Sequence, residues 1–252
     1  MAPATAVSPW LARYWEFSVH QVNPPPHHVP PDGGTSILVA TGPLRDPVLQ
    51  VSGPWLEPLV VPVALGDCFW GARLHPGAAR EFLGISPIEL HNTVRPLPML
   101  FGRSTKPLAV ELDACVSLAD AAATMDRTFG PAVVDLQAPD PFAADVVAFI
   151  IMSRGAIRMA AIAGKLDTSP RTMLRRFLAA TGITPKQFAR VVRFRFAAMH
   201  LIGTDARLSR VAASSGYADQ PHLTREWADL LGITPSRLAQ VIRATAHDNI
   251  TL

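Results

Sequence analysis

The chain has 252 residues, 49% of them hydrophobic and 17% charged, with 23 Lys+Arg against 20 Asp+Glu. That balance excludes a wholly disordered chain and allows two cores of ordinary domain size. The charge is unevenly placed: residues 153–252 hold 15 Lys+Arg against 6 Asp+Glu, and residues 1–152 hold 8 against 14. A basic C-terminal half points to a polyanionic partner for that half alone.

In chain order, the first twenty residues, MAPATAVSPWLARYWEFSVH, lack the basic start and apolar stretch of a secretion signal. The longest apolar run, 146–152, is far short of a membrane span, so the expected location is cytoplasmic, with no membrane partner. The segment NPPPHHVPPDGG (23–34) is too rich in breakers for a helix and reads as a loop. Short β-branched and aromatic runs follow at 35–42, 47–53, 57–66 and 67–74, predicting a β-rich barrel or sandwich. One or two short helices are predicted over 75–92 and another over 112–130, ended by Gly130-Pro131; residues 131–141 read as a linker. The predicted fold class is α+β: a β-rich domain over 1–135, then an all-α domain over 136–252.

Within the second domain the tetrapeptide GITP occurs at 182–185 and again at 232–235. The repeat extends: SPRTMLRRFLAATGITPKQF (169–188) lies over DQPHLTREWADLLGITPSRL (219–238) without a gap, Arg175 on Arg225 and Phe177 on Trp227. Upstream, Ile162-Ala163 matches Val211-Ala212. Each copy reads as helix, tight turn, helix, over about 158–188 and 208–238. Ser169 and Asp219 are the expected N-caps of the second helices, and Met173 with Phe177, or Leu223 with Trp227, form an i, i+4 apolar stripe. That stripe leaves Arg171, Thr172, Arg175 and Arg176 on the outer face of one helix, and Gln220, His222, Thr224, Arg225 and Glu226 on that of the other. A helix over 186–203 joins the units. Arg190, Arg193 and Arg195 on this linker helix are expected to neutralise DNA phosphates.

With the Gly-Tyr turn at 216–217, the Asp-Gln-x-His-Leu-x-Arg-Glu run from Asp219 and the two G-x-T-P endings in view, the C-terminal hundred residues resemble the DNA-binding domain of AraC/XylS-type transcription regulators. The resemblance implies two helix-turn-helix units on double-stranded DNA, with Arg175 and Arg225 at positions that reach base edges. It also implies an N-terminal domain that senses an effector or mediates homodimerisation, a location at the nucleoid, and contact with RNA polymerase if the protein activates transcription. The pieces VPPDGGTSILV and FWGARLHPGAAREFLGISPIEL are similar to an N-terminal domain found on some of these regulators.

For an effector, Trp15, Trp55, Phe69 and Trp70 are candidate pocket walls and Arg73 a candidate partner for an anion; the alternative is that these aromatics are core. No cofactor, metal or catalytic residue is expected. A metal-binding or enzymatic N-terminal domain is the competing reading, with His27, His28, His75 and Glu81 as its conceivable ligands. However, His27 and His28 are adjacent, and adjacent side chains of an extended segment diverge. Cys68 and Cys115 lack C-x-x-C spacing, and neither sits in the Pro-Cys context of a DNA-repair nucleophile; both read as small buried hydrophobes.

Overall fold

The computed structural model describes residues 1–203 and 207–238. The expected C-terminal domain runs to residue 252, so its residues 204–206 and 239–252 lie outside the described residues. Strands β1 (Leu11–Ser18), β3 (Ser36–Thr41), β4 (Val48–Ser52), β6 (Cys68–Leu74) and β7 (Val94–Pro96) form one antiparallel sheet in the order β1-β6-β3-β4-β7. A second, two-stranded sheet pairs β2 (His27–Val29) with β5 (Leu59–Val61), and β8 (Met99–Leu100) with β9 (Arg103–Ser104) makes a small hairpin.

Alternation gives the large sheet two distinct faces. One carries Ile37, Val39, Leu49, Val51, Trp70 and Ala72, all buried. These pack against Phe82 of α1 (Ala79–Leu83), Leu112 of α2 (Lys106–Asp113), and Met125 and Phe129 of α3 (Leu118–Phe129). The Tyr14 hydroxyl donates to Asp126 Oδ1 at 2.6 Å, tying β1 to α3. Arg13, Trp15 and Phe17 of β1 stand on the opposite face, in register with Arg73, Gly71 and Phe69 of β6. The small sheet approaches there: His27 stacks on Phe17 with ring centroids 4.1 Å apart.

Three readings of this half are corrected. Residues 27–29, taken as loop, form a strand, short because prolines bound both it and its partner β5. Residues 11–18, given no element, form an edge strand whose alternation is interrupted by a register shift between Leu11 and Arg13. The two thiols, expected buried, are only half-buried.

The C-terminal half is helical: α4 (Pro141–Met152), α5 (Met159–Lys165), α6 (Pro170–Thr181), α7 (Pro185–Gly203), α8 (Leu208–Ser214) and α9 (Gln220–Leu231). The buried residues of the first core end at Val133, and those of the next begin at Phe142. Helix α7 serves two cores. Phe188 joins Phe142, Ile162, Met173 and Phe177 around the first helix-turn-helix unit, while Phe194 and Ala198 join Val211, Leu223 and Trp227 around the second. At 1.5 Å per residue its 19 residues span about 28 Å. One rigid rod therefore forms a wall of both units.

Candidate nucleic-acid interface

Each unit is built from local rules. The Ser169 hydroxyl accepts the Thr172 N–H at 3.1 Å and starts α6; the Asp219 carboxylate accepts the His222 N–H at 2.7 Å and starts α9. Proline follows in the first turn of both, where a missing N–H is harmless. Met173 with Phe177, and Leu223 with Trp227, are fully buried, and their burial turns the opposite face of each helix outward. Gly182 and Gly232 end α6 and α9 in the left-handed conformation, with φ of +79° and +74°.

Arg171 and Arg175, one turn apart on α6, and Gln220 and Arg225 on α9 are exposed. The three arginines make no ion pair among the described residues. Arg175 and Arg225 occupy equivalent places on the two helices. Thr172, His222 and Thr224 are instead engaged locally. Thr172 Oγ1 accepts from Ser169 Oγ at 3.0 Å, the His222 ring meets Tyr217 edge-on at 5.3 Å, and Thr224 Oγ1 donates to the Gln220 carbonyl at 3.0 Å. Arg176 is exposed but paired: Nη2 donates to Asp140 Oδ2 at 2.6 Å, and its guanidinium lies 3.7 Å over the Phe142 ring.

Two of the linker arginines, expected at DNA phosphates, are engaged within the chain. Arg193 donates to both carboxylate oxygens of the buried Glu226 at 3.2–3.3 Å and stacks over Tyr217, and Arg190 Nε donates to Glu226 Oε2 at 3.1 Å. Arg195 faces the N-terminal domain. Glu226, expected on the outer face of its helix, is instead turned inward, and a carboxylate with side-chain exposure of 7% demands the counter-charge that Arg190 and Arg193 supply.

Two cations escaped the sequence reading: Arg158 and Arg207, both exposed, stand at the N-cap positions of α5 and α8. The 49-residue offset that aligns Ile162 with Val211 also aligns this pair, and would have found it.

The proposed effector residues do not share one face. Trp70 sits on the buried face of the large sheet, 3% exposed, whereas Trp15 and Arg73 stand on the other. Trp55 Nε1 reaches that second face by donating to Ser52 Oγ at 3.1 Å. Among the conceivable metal ligands, burial first and then the charge of His28 push His27 down to about 4, and His28 Nδ1 lies 3.4 Å from the Leu231 carbonyl at the end of α9. No group of three or more His, Cys, Asp or Glu side chains is placed to hold a metal ion, and no helix is long and apolar enough to cross a membrane, among the described residues.

Comparison with known families matches residues 162–240 to a helix-turn-helix domain and residues 1–96 to a domain of unknown function, DUF6597. Among solved structures, the chain is similar over 96% of its length to unsaturated-fatty-acid-bound ToxT from Vibrio cholerae strain SCE256, covering 98% of that chain at 11% identity with a TM-score of 0.50. It is similar over 44% of its length to the DNA-binding domain of the global transcriptional factor AdpA in complex with a target DNA, at 27% identity, 99% coverage of that chain and a TM-score of 0.40. A third similarity, over 42% of the chain and 94% of the other, is to an AraC-type transcriptional regulator from Chromobacterium violaceum, at 21% identity and a TM-score of 0.39. Comparison with curated proteins gives no match.

Proposed function

We propose that this chain, whose residues 162–240 match an AraC-type helix-turn-helix domain, is a sequence-specific transcription regulator that lays α6 and α9 into successive major grooves of one duplex. The carrying observation is the duplication: two helices of 12 residues, each with a capped start, a buried stripe and an exposed arginine at the same place, share one helical rod. Arg175 and Arg225 read base edges, where a guanidinium donates twice to guanine O6 and N7. Arg171 and Gln220 extend the same faces, while Arg158 and Arg207 contact phosphates at the start of each unit. The N-terminal domain senses an effector or joins two copies, and an activating role adds contact with RNA polymerase.

The test is selection of bound genomic fragments, followed by titration of single-base operator variants. Arg225→Ala is expected to weaken the specific site by about 1–3 kcal/mol and relax base preference at one position. An equal loss on every variant would assign Arg225 to the phosphates instead. Arg193→Ala, because its guanidinium serves Glu226, is expected to leave the salt dependence of binding unchanged.

A further inference from the structure

The outer face of the large sheet carries a polar row across four adjacent strands. Arg13 on β1 is in register with Arg73 on β6, Arg73 with Ser36 on β3, and Ser36 with Ser52 on β4. Like charges directly opposite in a sheet repel, so the Arg13–Arg73 pair is unfavourable without an anion nearby. One carboxylate is present: Asp32, in the loop before β3, is ion-paired with Arg73 and also accepts the Gly34 N–H at 3.0 Å. A third arginine arrives from the DNA-binding half. Phe188 of α7 packs on Gly33, next to Asp32, and Arg195 stands seven residues further along, two turns on and so on the same face of α7. Burial first, and then the charges of Arg13 and Arg195, push the Arg73 guanidinium down to about 9. Arg73 thus holds the one carboxylate, while the exposed Arg13 and the half-buried Arg195 beside it have no ion pair among the described residues.

A second, independent observation lies in the same rows. Ser36 is 3% exposed and its hydroxyl has no hydrogen-bond partner; the buried indole N–H of Trp15, in register with Gly71 one row below, has none either. An unpartnered buried donor is destabilising, and the large majority of such groups are satisfied by protein or by ordered water. Two such groups beside two uncompensated cations call for an acceptor.

The geometry points to an anion site at the junction of the large sheet and α7, in which Arg13, Arg73 and Arg195, with the Ser36 hydroxyl and the Trp15 N–H, hold a small dianion such as a phosphate monoester or a dicarboxylate. Asp32 is the built-in competitor. An incoming dianion takes its place on Arg73, and the Asp32–Gly34 loop, which rests on α7 through Gly33, is released from the rod that walls both helix-turn-helix units. This deepens the sensing half of the proposed function and rests on it only for that last, regulatory consequence.

The test uses the full chain without DNA, with inorganic phosphate, succinate and acetate as probes at equal ionic strength and binding read by calorimetry and melting temperature. Saturable binding of phosphate, of succinate or of both is expected, at least tenfold tighter than acetate, and the preferred dianion identifies the source. Arg73→Gln and Ser36→Ala are expected to lose it. Asp32→Asn, which removes the competitor, is expected to tighten binding about tenfold, a gain that misfolding does not produce. The double variant Arg175→Gln/Arg225→Gln is expected to bind as the parent does. Binding that survives Arg73→Gln, binding lost in the recognition-helix variant, no gain in Asp32→Asn, or no response to either dianion would overturn the site. If the dianion binds but leaves operator affinity unchanged, the site stands and the sensing reading falls.

Discussion

Positions 176 and 226 are equivalent in the fifty-residue repeat, yet one holds an exposed arginine and the other a buried glutamate. Arg176 leans out of the first unit onto Asp140, the N-cap of α4, and onto the face of Phe142. Glu226 points into the second unit and is held between Arg190 and Arg193 of α7. The skeletons are the same, buried stripe, cap and left-handed stop, but the first unit is fastened by a surface ion pair and the second by a desolvated one. A recognition helix needs only its outer face kept; the fastening behind it is free to differ.

The strongest way to break this comparison is to remove the glutamate. Glu226→Ala leaves Arg193 without counter-charge and Arg190 with only Asp229, 3.8 Å away, and deleting one partner of a buried ion pair typically costs about 3–5 kcal/mol. We expect a loss near the middle of that range in denaturant unfolding, a large share of the roughly 5–15 kcal/mol of an ordinary domain. A cost below about 1 kcal/mol would place the two units on the same footing.

The next effect sharpens the comparison at the ends of the helices. A methyl group at either glycine suffers the left-handed backbone, worth about 1–2 kcal/mol. At Gly182 the added Cβ also runs into the Pro87 carbonyl of the N-terminal domain, whereas at Gly232 it meets only the Pro58 side chain, 3.0 Å away. Gly182→Ala is therefore expected to cost about 3 kcal/mol and Gly232→Ala about 1, the difference reporting how firmly the first unit is seated on the N-terminal domain. Equal melting shifts would mean that Pro87 gives way freely.

What could be read in the sequence was what is local. Caps, stripes and glycine stops depend on residues within four positions of one another, so both helix-turn-helix units and the linker helix follow from spacing alone. The long-range charges do not: no spacing rule pairs Arg193 with Glu226, 33 residues away, and only packing brings them together. The reversal of sign between 176 and 226 was the available warning. In the N-terminal half, prolines concealed the strand at 27–29, and a register shift concealed the one at 11–18. The misplacement of Trp70 was avoidable, since Trp70 and Arg73 stand three apart in one strand and must face opposite ways. The anion site required the fold itself, because its cations come from β1, β6 and α7.

The smallest expected effect is at Arg176. Its side chain is 43% exposed and its partner Asp140 62% exposed, a setting in which ion pairs contribute about 0.2–1 kcal/mol. Arg176→Ala should therefore cost under about 1 kcal/mol, part of it from lost contact with Phe142. Acid should reveal the pair. The Phe142 N–H first, and then Arg176, hold the Asp140 carboxyl below the usual carboxylate range, so its contribution is present above the unfolded value near 4 and fades as pH falls through the lower folded value. In Arg176→Ala that fading should shrink without vanishing, because the Phe142 N–H remains. An unchanged acid profile would mean that the cap alone sets it and that the first unit is held by Phe142 rather than by charge.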